Sequence, residues 1–177
     1  MKLTIVTAVL AMGVGASGAE EAKMQFTLSS PSFQNNQPIP AKHSCEGADV
    51  SPALKWDGAP ATAKGYALIC DDPDAPGGSW VHWVIYGISA GTSALPEGVA
   101  KTETVGGMKQ GVNDFGKPGF GGPCPPRGHG VHHYHFRLYA LDTELNLAPR
   151  VKRPQLENAM KGHIVAQTKL IGTYQRE

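Results

Sequence analysis

The sequence predicts a mostly antiparallel β-sandwich with Greek-key-like connections and one or two short helices. Three observations carry that reading. Three runs, Tyr66–Asp72, Trp80–Ile88 and His132–Asp142, are rich in β-branched and aromatic residues, which suit a pleated, half-buried surface. Gly and Pro together number 36 and fall between the hydrophobic runs, as turns between short strands do. One stretch only has helical spacing, with Leu156, Met160 and Ile164 at i, i+4 and i+8 after Pro154.

The elements follow in order. Lys2 and the uncharged apolar run Leu3–Ala16, ending in Ser17-Gly18-Ala19, read as a signal peptide over residues 1–19. That run is shorter than the roughly 20 apolar residues that span a bilayer. The expectation is an exported protein, periplasmic or secreted, with no transmembrane anchor after cleavage. Residues 20–177 make one domain. Its 15 basic and 15 acidic residues, once Lys2 is removed, leave no bulk electrostatic footprint for nucleic acid. Met24–Leu28 alternates as a first strand that Ser29-Ser30-Pro31 breaks, and Leu54-Lys55-Trp56 is a short strand before the Asp57-Gly58 turn. Pro73–Gly78 is neither strand nor helix. Leu95–Gly121 reads as a long loop with turns at Gly106-Gly107 and Asn113–Gly116. Pro154 suits the first turn of the helix, His163 reads as a packing or capping residue within it, and Ile171–Gln175 as a last strand.

Two segments carry the chemistry. Asp72-Pro73-Asp74-Ala75-Pro76 precedes Trp80-Val81-His82-Trp83; Gly122-Pro123-Cys124-Pro125-Pro126-Arg127-Gly128 runs into His132-His133-Tyr134-His135. If the strands they open are neighbours in one sheet, an Asp, two His and a Tyr meet at one rim. Alternation puts His132 and Tyr134 on the apolar face of Phe136, Leu138 and Ala140, and His133, His135 and Arg137 on a polar, solvated face. Asp72 is in step with Tyr66, Leu68 and Cys70, and His82 falls in step with Trp80, Val84 and Tyr86. Imidazole and phenol donors, aided by free amides of Gly121-Gly122, suit phosphate or carboxylate oxygens. Asp72 would fix a histidine tautomer or accept the proton of a monoprotonated phosphate; Asp74 reads as a turn residue. Structural packing of these histidines is the plainer alternative.

Other chemistries have less support. His129, His132, His133 and His135 crowd one segment, but alternation splits them between two faces and no zinc-ligand spacing appears. No Gly-x-Ser-x-Gly elbow or phosphate-binding glycine loop is present, and Ser79 has no evident base beyond His82. No metal or cofactor is expected. Three cysteines allow three single pairings. Cys45 and Cys124 sit in turn-rich segments beside the candidate pocket and Cys70 in an apolar strand, so Cys45–Cys124 is the preferred pair, with a fully reduced chain as the alternative.

The two motifs, Asp72–Pro76 with His82-Trp83 and Gly122–Pro126 with His132-His133-Tyr134, resemble the signature regions of the phosphatidylethanolamine-binding protein family, most closely its bacterial, Raf kinase inhibitor-like branch. Cys45-Glu46-Gly47, Ser51–Trp56, Asn113–Gly116 and Leu138–Asp142 extend the likeness over nearly the whole mature chain. The resemblance implies an antiparallel β-sandwich whose pocket, lined by Asp72, Pro76, His82, Gly122, His132 and Tyr134 with Trp80 nearby and Pro126 in its loop, binds phosphate-like anions or phospholipid head groups. Animal relatives carry a C-terminal helix beside the pocket; with the chain ending at Glu177, that lid is expected to be missing, together with the lipid and kinase-scaffold roles of that branch. The expected function is therefore a binding protein for a small anionic or phosphorylated ligand, not an enzyme. Inhibition of a partner protease or kinase through the Pro125-Pro126 loop is the first alternative, a weak hydrolase using Asp72 and His132 the second. Homodimerisation is left open.

Overall fold

The computed structural model describes residues 25–177, so the expected leader over residues 1–19 and the Met24 start of the first strand lie outside the described residues. The described residues form ten strands: β1 (Thr27–Ser29), β2 (Gln37–Pro38), β3 (Leu54–Asp57), β4 (Gly65–Asp72), β5 (Trp80–Ser89), β6 (Ala94–Leu95), β7 (Thr104–Val105), β8 (Met108–Gln110), β9 (His132–Leu141) and β10 (Ile164–Tyr174). Among the described residues, one helix, α1 (Arg153–Met160), and one short 3-10 turn (Ala41–His43) accompany the strands, and the fold is mostly β. β1, β3 and β6 form a small sheet; the other seven strands run in the order β2-β10-β9-β4-β5-β8-β7. Every pairing is antiparallel except that of β2 with β10. No described helix is long and apolar enough to cross a membrane.

The strands that open the two motif segments are not neighbours. β5 and β9 both pair with β4, which lies between them. The chain therefore leaves β5 on one side of β4 and returns on the other, after forming β6, β7 and β8. These three short strands occupy the stretch expected to be one long loop. They are two or three residues each, too short for alternation to reveal. The Gly106-Gly107 turn joins β7 to β8, with both residues at positive φ (55° and 85°), as a tight two-residue hairpin requires.

β4 is buried along its whole length because both faces of the large sheet are covered. On one face Tyr66, Leu68 and Cys70 pack with Phe136, Leu138 and Ala140 of β9, and with Leu28, Leu54, Trp56 and Leu95 of the small sheet. On the other, Ala67 and Ile69 join Val84, Tyr86, Tyr139 and Leu141 under Leu156 and Met160 of α1. The outer face of β9 is thus polar only over His133, His135 and Arg137; beyond Arg137 it is a second apolar core, which corrects the solvated reading. Arg137 is itself committed, as it pairs with the buried Asp71, to which Arg153 Nη1 also donates at 3.0 Å.

Two irregularities re-aim β5. Cys70 pairs with Trp83 but Asp71 with Val81, so His82 is an extra residue; Tyr66 pairs with Ile88 but Leu68 with Ile85, so β5 again gains a residue, at Gly87 (φ 66°). Val84 and Tyr86 consequently face α1, whereas His82 packs edge-on against Tyr134, with ring centroids 5.1 Å apart. The expected common face of His82 with Val84 and Tyr86 is overturned. A bulge breaks the period of two, and no residue pattern within the strand announces it.

The helix is shorter than its apolar spacing suggests. Pro154 lies in its first turn and Leu156 and Met160 are buried, but Gly162 (φ 82°) ends the segment, and Ile164, 42% exposed, begins β10. β10 is thus 11 residues long and starts well before Ile171. His163 stands outside the helix, in the turn, with Nδ1 2.9 Å from Asp142 Oδ1.

Because Leu156 is fully buried over the second core, Leu156→Ala is expected to cost about 2–5 kcal/mol. Urea unfolding should show a lower midpoint with an unchanged m-value.

Candidate functional site

Asp72 ends β4, and its carboxylate is buried. Oδ1 accepts the Asp74 backbone N–H at 2.9 Å, which closes the Pro-rich turn, and Oδ2 lies 2.7 Å from His132 Nδ1. A carboxylate accepts, so His132 Nδ1 carries the proton and its remaining nitrogen is Nε2. Nε2 is 2.8 Å from Nδ1 of the exposed His129. The antiparallel register that pairs Cys70 with Phe136 and Asp71 with His135 brings Asp72 beside Tyr134 by continuation.

Tyr134 is buried, and its hydroxyl has no hydrogen-bond partner. Burial, reinforced by the Asp72 charge, pushes this phenol far above the ordinary tyrosine range, so it stays an O–H donor. His82 Nδ1 lies 2.6 Å from the Gly121 carbonyl and therefore donates to it, which leaves Nε2 with a lone pair. Burial pulls the His82 pKa below its ordinary value despite that bond and the Asp72 charge. The ring is neutral near pH 7.

Asp72, Pro76, Trp80, His82, Pro126, His132 and Tyr134 line one cleft of about 240 Å³. Ala75, Phe115, Cys124 and Pro125 complete it. Phe115, 43% exposed, sits edge-on to both Trp80 (5.5 Å) and His82 (5.3 Å), a role that nothing in Asn113–Gly116 beyond its turn composition signalled.

Gly122 is not in this cleft. It lines an adjoining cavity of about 480 Å³ with Asp49, Lys101 and Lys117, and Phe115 and Cys124 border both spaces. The expectation of free amides fails too: Gly121 N–H donates to the His82 carbonyl (2.9 Å) and Gly122 N–H to Asp49 Oδ1 (2.6 Å). These glycines are there for close approach. A Cβ on Gly122 would stand 2.2 Å from the His43 carbonyl oxygen, and one on Gly121 2.6 Å from the Phe115 ring.

The remaining candidates separate. Asp74 reaches across to β9, where Oδ2 accepts the His133 backbone N–H (2.8 Å) and meets its ring Nδ1 (2.7 Å). Burial works to raise its pKa, and these bonds outweigh it, holding the carboxyl below the usual range. His135 Nδ1 meets Arg137 at 2.9 Å, so the crowded histidines do not converge: His129 meets His132, His132 meets Asp72, His133 meets Asp74 and His135 meets Arg137. Among the described residues, no three His, Cys, Asp or Glu side chains come together as metal ligands do. Ser79 Oγ donates to Asp71 (2.7 Å), away from His82. Cys45 and Cys124 form a disulfide with Cα atoms 5.4 Å apart; Cys70 is a buried free thiol.

Comparison with known proteins identifies the family. The sequence model of the phosphatidylethanolamine-binding protein family matches residues 29–175. UPF0098 protein PH1269 of Pyrococcus horikoshii is 47% identical over 176 residues, covering 98% of this chain and 88% of its own. LppC of Mycobacterium tuberculosis, whose name classes it provisionally as a lipoprotein, is 40% identical over 162 residues, covering 92% and 78%. The crystal structure of Escherichia coli YbcL, described as a new member of the mammalian PEBP family, superposes with a TM-score of 0.80 at 33% identity, over 86% of this chain and 99% of that one.

Gly122→Ala is expected to lower stability by about 1–3 kcal/mol, since backbone and not a flexible side chain blocks the added carbon. Gly91→Ala, which meets nothing within 4 Å, should stay within about 0.5 kcal/mol of the parent. Thermal unfolding of the pair measures the difference.

Proposed function

Since the chain belongs to the phosphatidylethanolamine-binding protein family, we propose that it is an exported binding protein whose Asp72–His82–His132–Tyr134 cleft takes a small phosphate-like anion or a phospholipid head group. Binding, without turnover, is its role in this reading. The observation that carries it is Tyr134, a cleft-lining residue whose buried hydroxyl makes no well-formed hydrogen bond to the protein, with the Asp72 carboxylate as its close polar neighbour. A buried unpaired hydroxyl costs about 1–3 kcal/mol and is expected where a ligand supplies the missing partner.

The charge of the cleft narrows the chemistry. Asp72 repels a bare dianion, and neutral His82 offers a lone pair at Nε2 rather than a proton. A monoprotonated phosphate ester satisfies both conditions: it accepts from the Tyr134 hydroxyl and donates its own P–OH to an imidazole nitrogen. The volume, about 240 Å³, suits a head group better than a drug-sized molecule. Export is supported by the leader composition, the provisional lipoprotein class in the name of LppC, and a disulfide that an oxidising compartment maintains. The sandwich reading is supported by the apolar cluster shared between the two sheets, and the Greek-key-like one by the connection that carries the chain from β5 past β4 to β9.

Proton–nitrogen spectra recorded while inorganic phosphate or phosphoethanolamine is added should show saturable shifts centred on residues 72–82, Phe115 and residues 124–134. Tyr134→Phe should weaken binding roughly tenfold, the value of a hydrogen bond to a charged group, without lowering stability. Equal affinity in this variant sinks the reading.

Sulfate keeps its charge through this pH range, so its affinity isolates the histidines. It should be flat from pH 8 to 7 and rise only as pH falls below about 6.5, because the charged imidazole that favours an anion forms at His82 only below its ordinary pKa. Affinity that is flat below pH 6.5, or that rises with pH, would remove the charged imidazole from the binding mechanism.

A further inference from the structure

His132 has no free ring nitrogen. Nδ1 is held by Asp72, and Nε2 is held by His129 at 2.8 Å with the two ring centroids 5.1 Å apart. One proton lies between the two imidazoles, since Nδ1 of one faces Nε2 of the other and only one of these atoms can donate. The Nδ1 proton of His132 is committed to Asp72, so Nε2 is the ring nitrogen left for a ligand.

His129 itself has little else to do. It is exposed, and among the described residues the bond to His132 is the one hydrogen bond its side chain makes. Its backbone is anchored independently: His129 N–H donates to the Pro126 carbonyl (3.2 Å) and Gly128 N–H to the Arg176 carbonyl (3.1 Å). Rotation of the side chain into water therefore breaks one bond and leaves the turn in place.

We propose that His129 is a displaceable internal ligand of the cleft: its imidazole takes the hydrogen-bonding position on His132 Nε2 that an oxygen of a bound phosphate group takes. This rests on the phosphate reading above. The bound oxygen replaces Nδ1 of His129, either donating a P–OH proton to the Nε2 lone pair or accepting from Nε2 when His132 is charged. His129 swings out, where water satisfies both of its nitrogens. A His129 that served the fold would be buried or multiply bonded; it is exposed and singly bonded.

The consequence is measurable, because a site that is competent only when His129 is out binds with its affinity reduced by the fraction in that state. A hydrogen bond of ordinary net strength favours the closed form about five-fold. His129→Ala should therefore bind both inorganic phosphate and phosphoethanolamine roughly five-fold more tightly than the unmodified protein at pH 7.5, by titration calorimetry. A gain for one ligand and not the other identifies the source the site prefers and still supports the displacement.

In nitrogen-detected spectra of the unmodified protein, saturation with phosphate should move His129 Nδ1 to the shift of a water-exposed imidazole, and His132→Ala should place it there without ligand. Binding that is equal or weaker in His129→Ala, while the unmodified protein binds with shifts in the two motif segments, overturns the displacement and leaves the phosphate reading intact. No binding by either protein overturns both.

Discussion

The site is organised by one buried carboxylate. Asp72 sits where β4 ends, between β5 and β9, and at 3% exposure its charge needs bonds that the fold must supply. It takes the Asp74 amide, which shapes the Pro-rich turn, and the His132 imidazole, which fixes that ring by its Nδ1 proton. The neighbouring phenol, Tyr134, is kept protonated first by its own burial and then by the Asp72 charge, and remains a donor. From a single acidic group follow the turn and the tautomer of one histidine. Replacing Asp72 by a neutral residue would remove an attachment of the turn as well as a charge, so the two effects are separable only through variants of its partners.

Asp71 shows what the same chemistry does one residue earlier. Alternation sends it to the opposite face, where Arg137, Arg153 and Ser79 satisfy it completely. Two adjacent aspartates, both nearly inaccessible, therefore have opposite fates. One is neutralised by two guanidinium groups and is closed to a ligand; the other has only an imidazole and an amide, and borders open volume. Arg153 also connects this cluster to α1, so the helix that covers the second core contributes to the ionic locking of β4 from behind the site.

How much of this was legible depended on periodicity. β9 reads directly: His132, Tyr134, Phe136, Leu138 and Ala140 alternate without interruption, and all five are buried on one side. β5 does not, because the extra residues at His82 and Gly87 shift its phase twice. Its apolar composition on both faces reflects burial by the small sheet and by α1, which hides the phase from sequence. Gly121-Gly122 was legible as a glycine pair but not as to purpose. Composition indicates that backbone comes close to something, and only the structure shows whether that is an anion or, as here, the His43 carbonyl and the Phe115 ring. The long run from Leu95 to Gly121 was opaque for another reason. Its strands are defined by the neighbours they pair with, β3 and β5, and a two-residue strand has no pattern of its own.

The cleft wall is made largely of loops, which raises the question of how it stays formed without a ligand. Three devices hold it. The Cys45–Cys124 disulfide closes a separation of 79 residues, worth about 4–5 kcal/mol in the chain-entropy model. Cys45 N–H adds a bond to the Pro123 carbonyl (3.0 Å), and Asp49, in a left-handed conformation at φ 52°, takes the Gly122 amide. The prolines at 123, 125 and 126 reduce what remains of the loop's freedom. Ordering is thus supplied during folding, and a ligand need not pay for it again. The exception is the exposed stretch from Arg127 to Val131, beyond the last of these devices. It is from there that His129 reaches back to His132, outside the lining of the cleft.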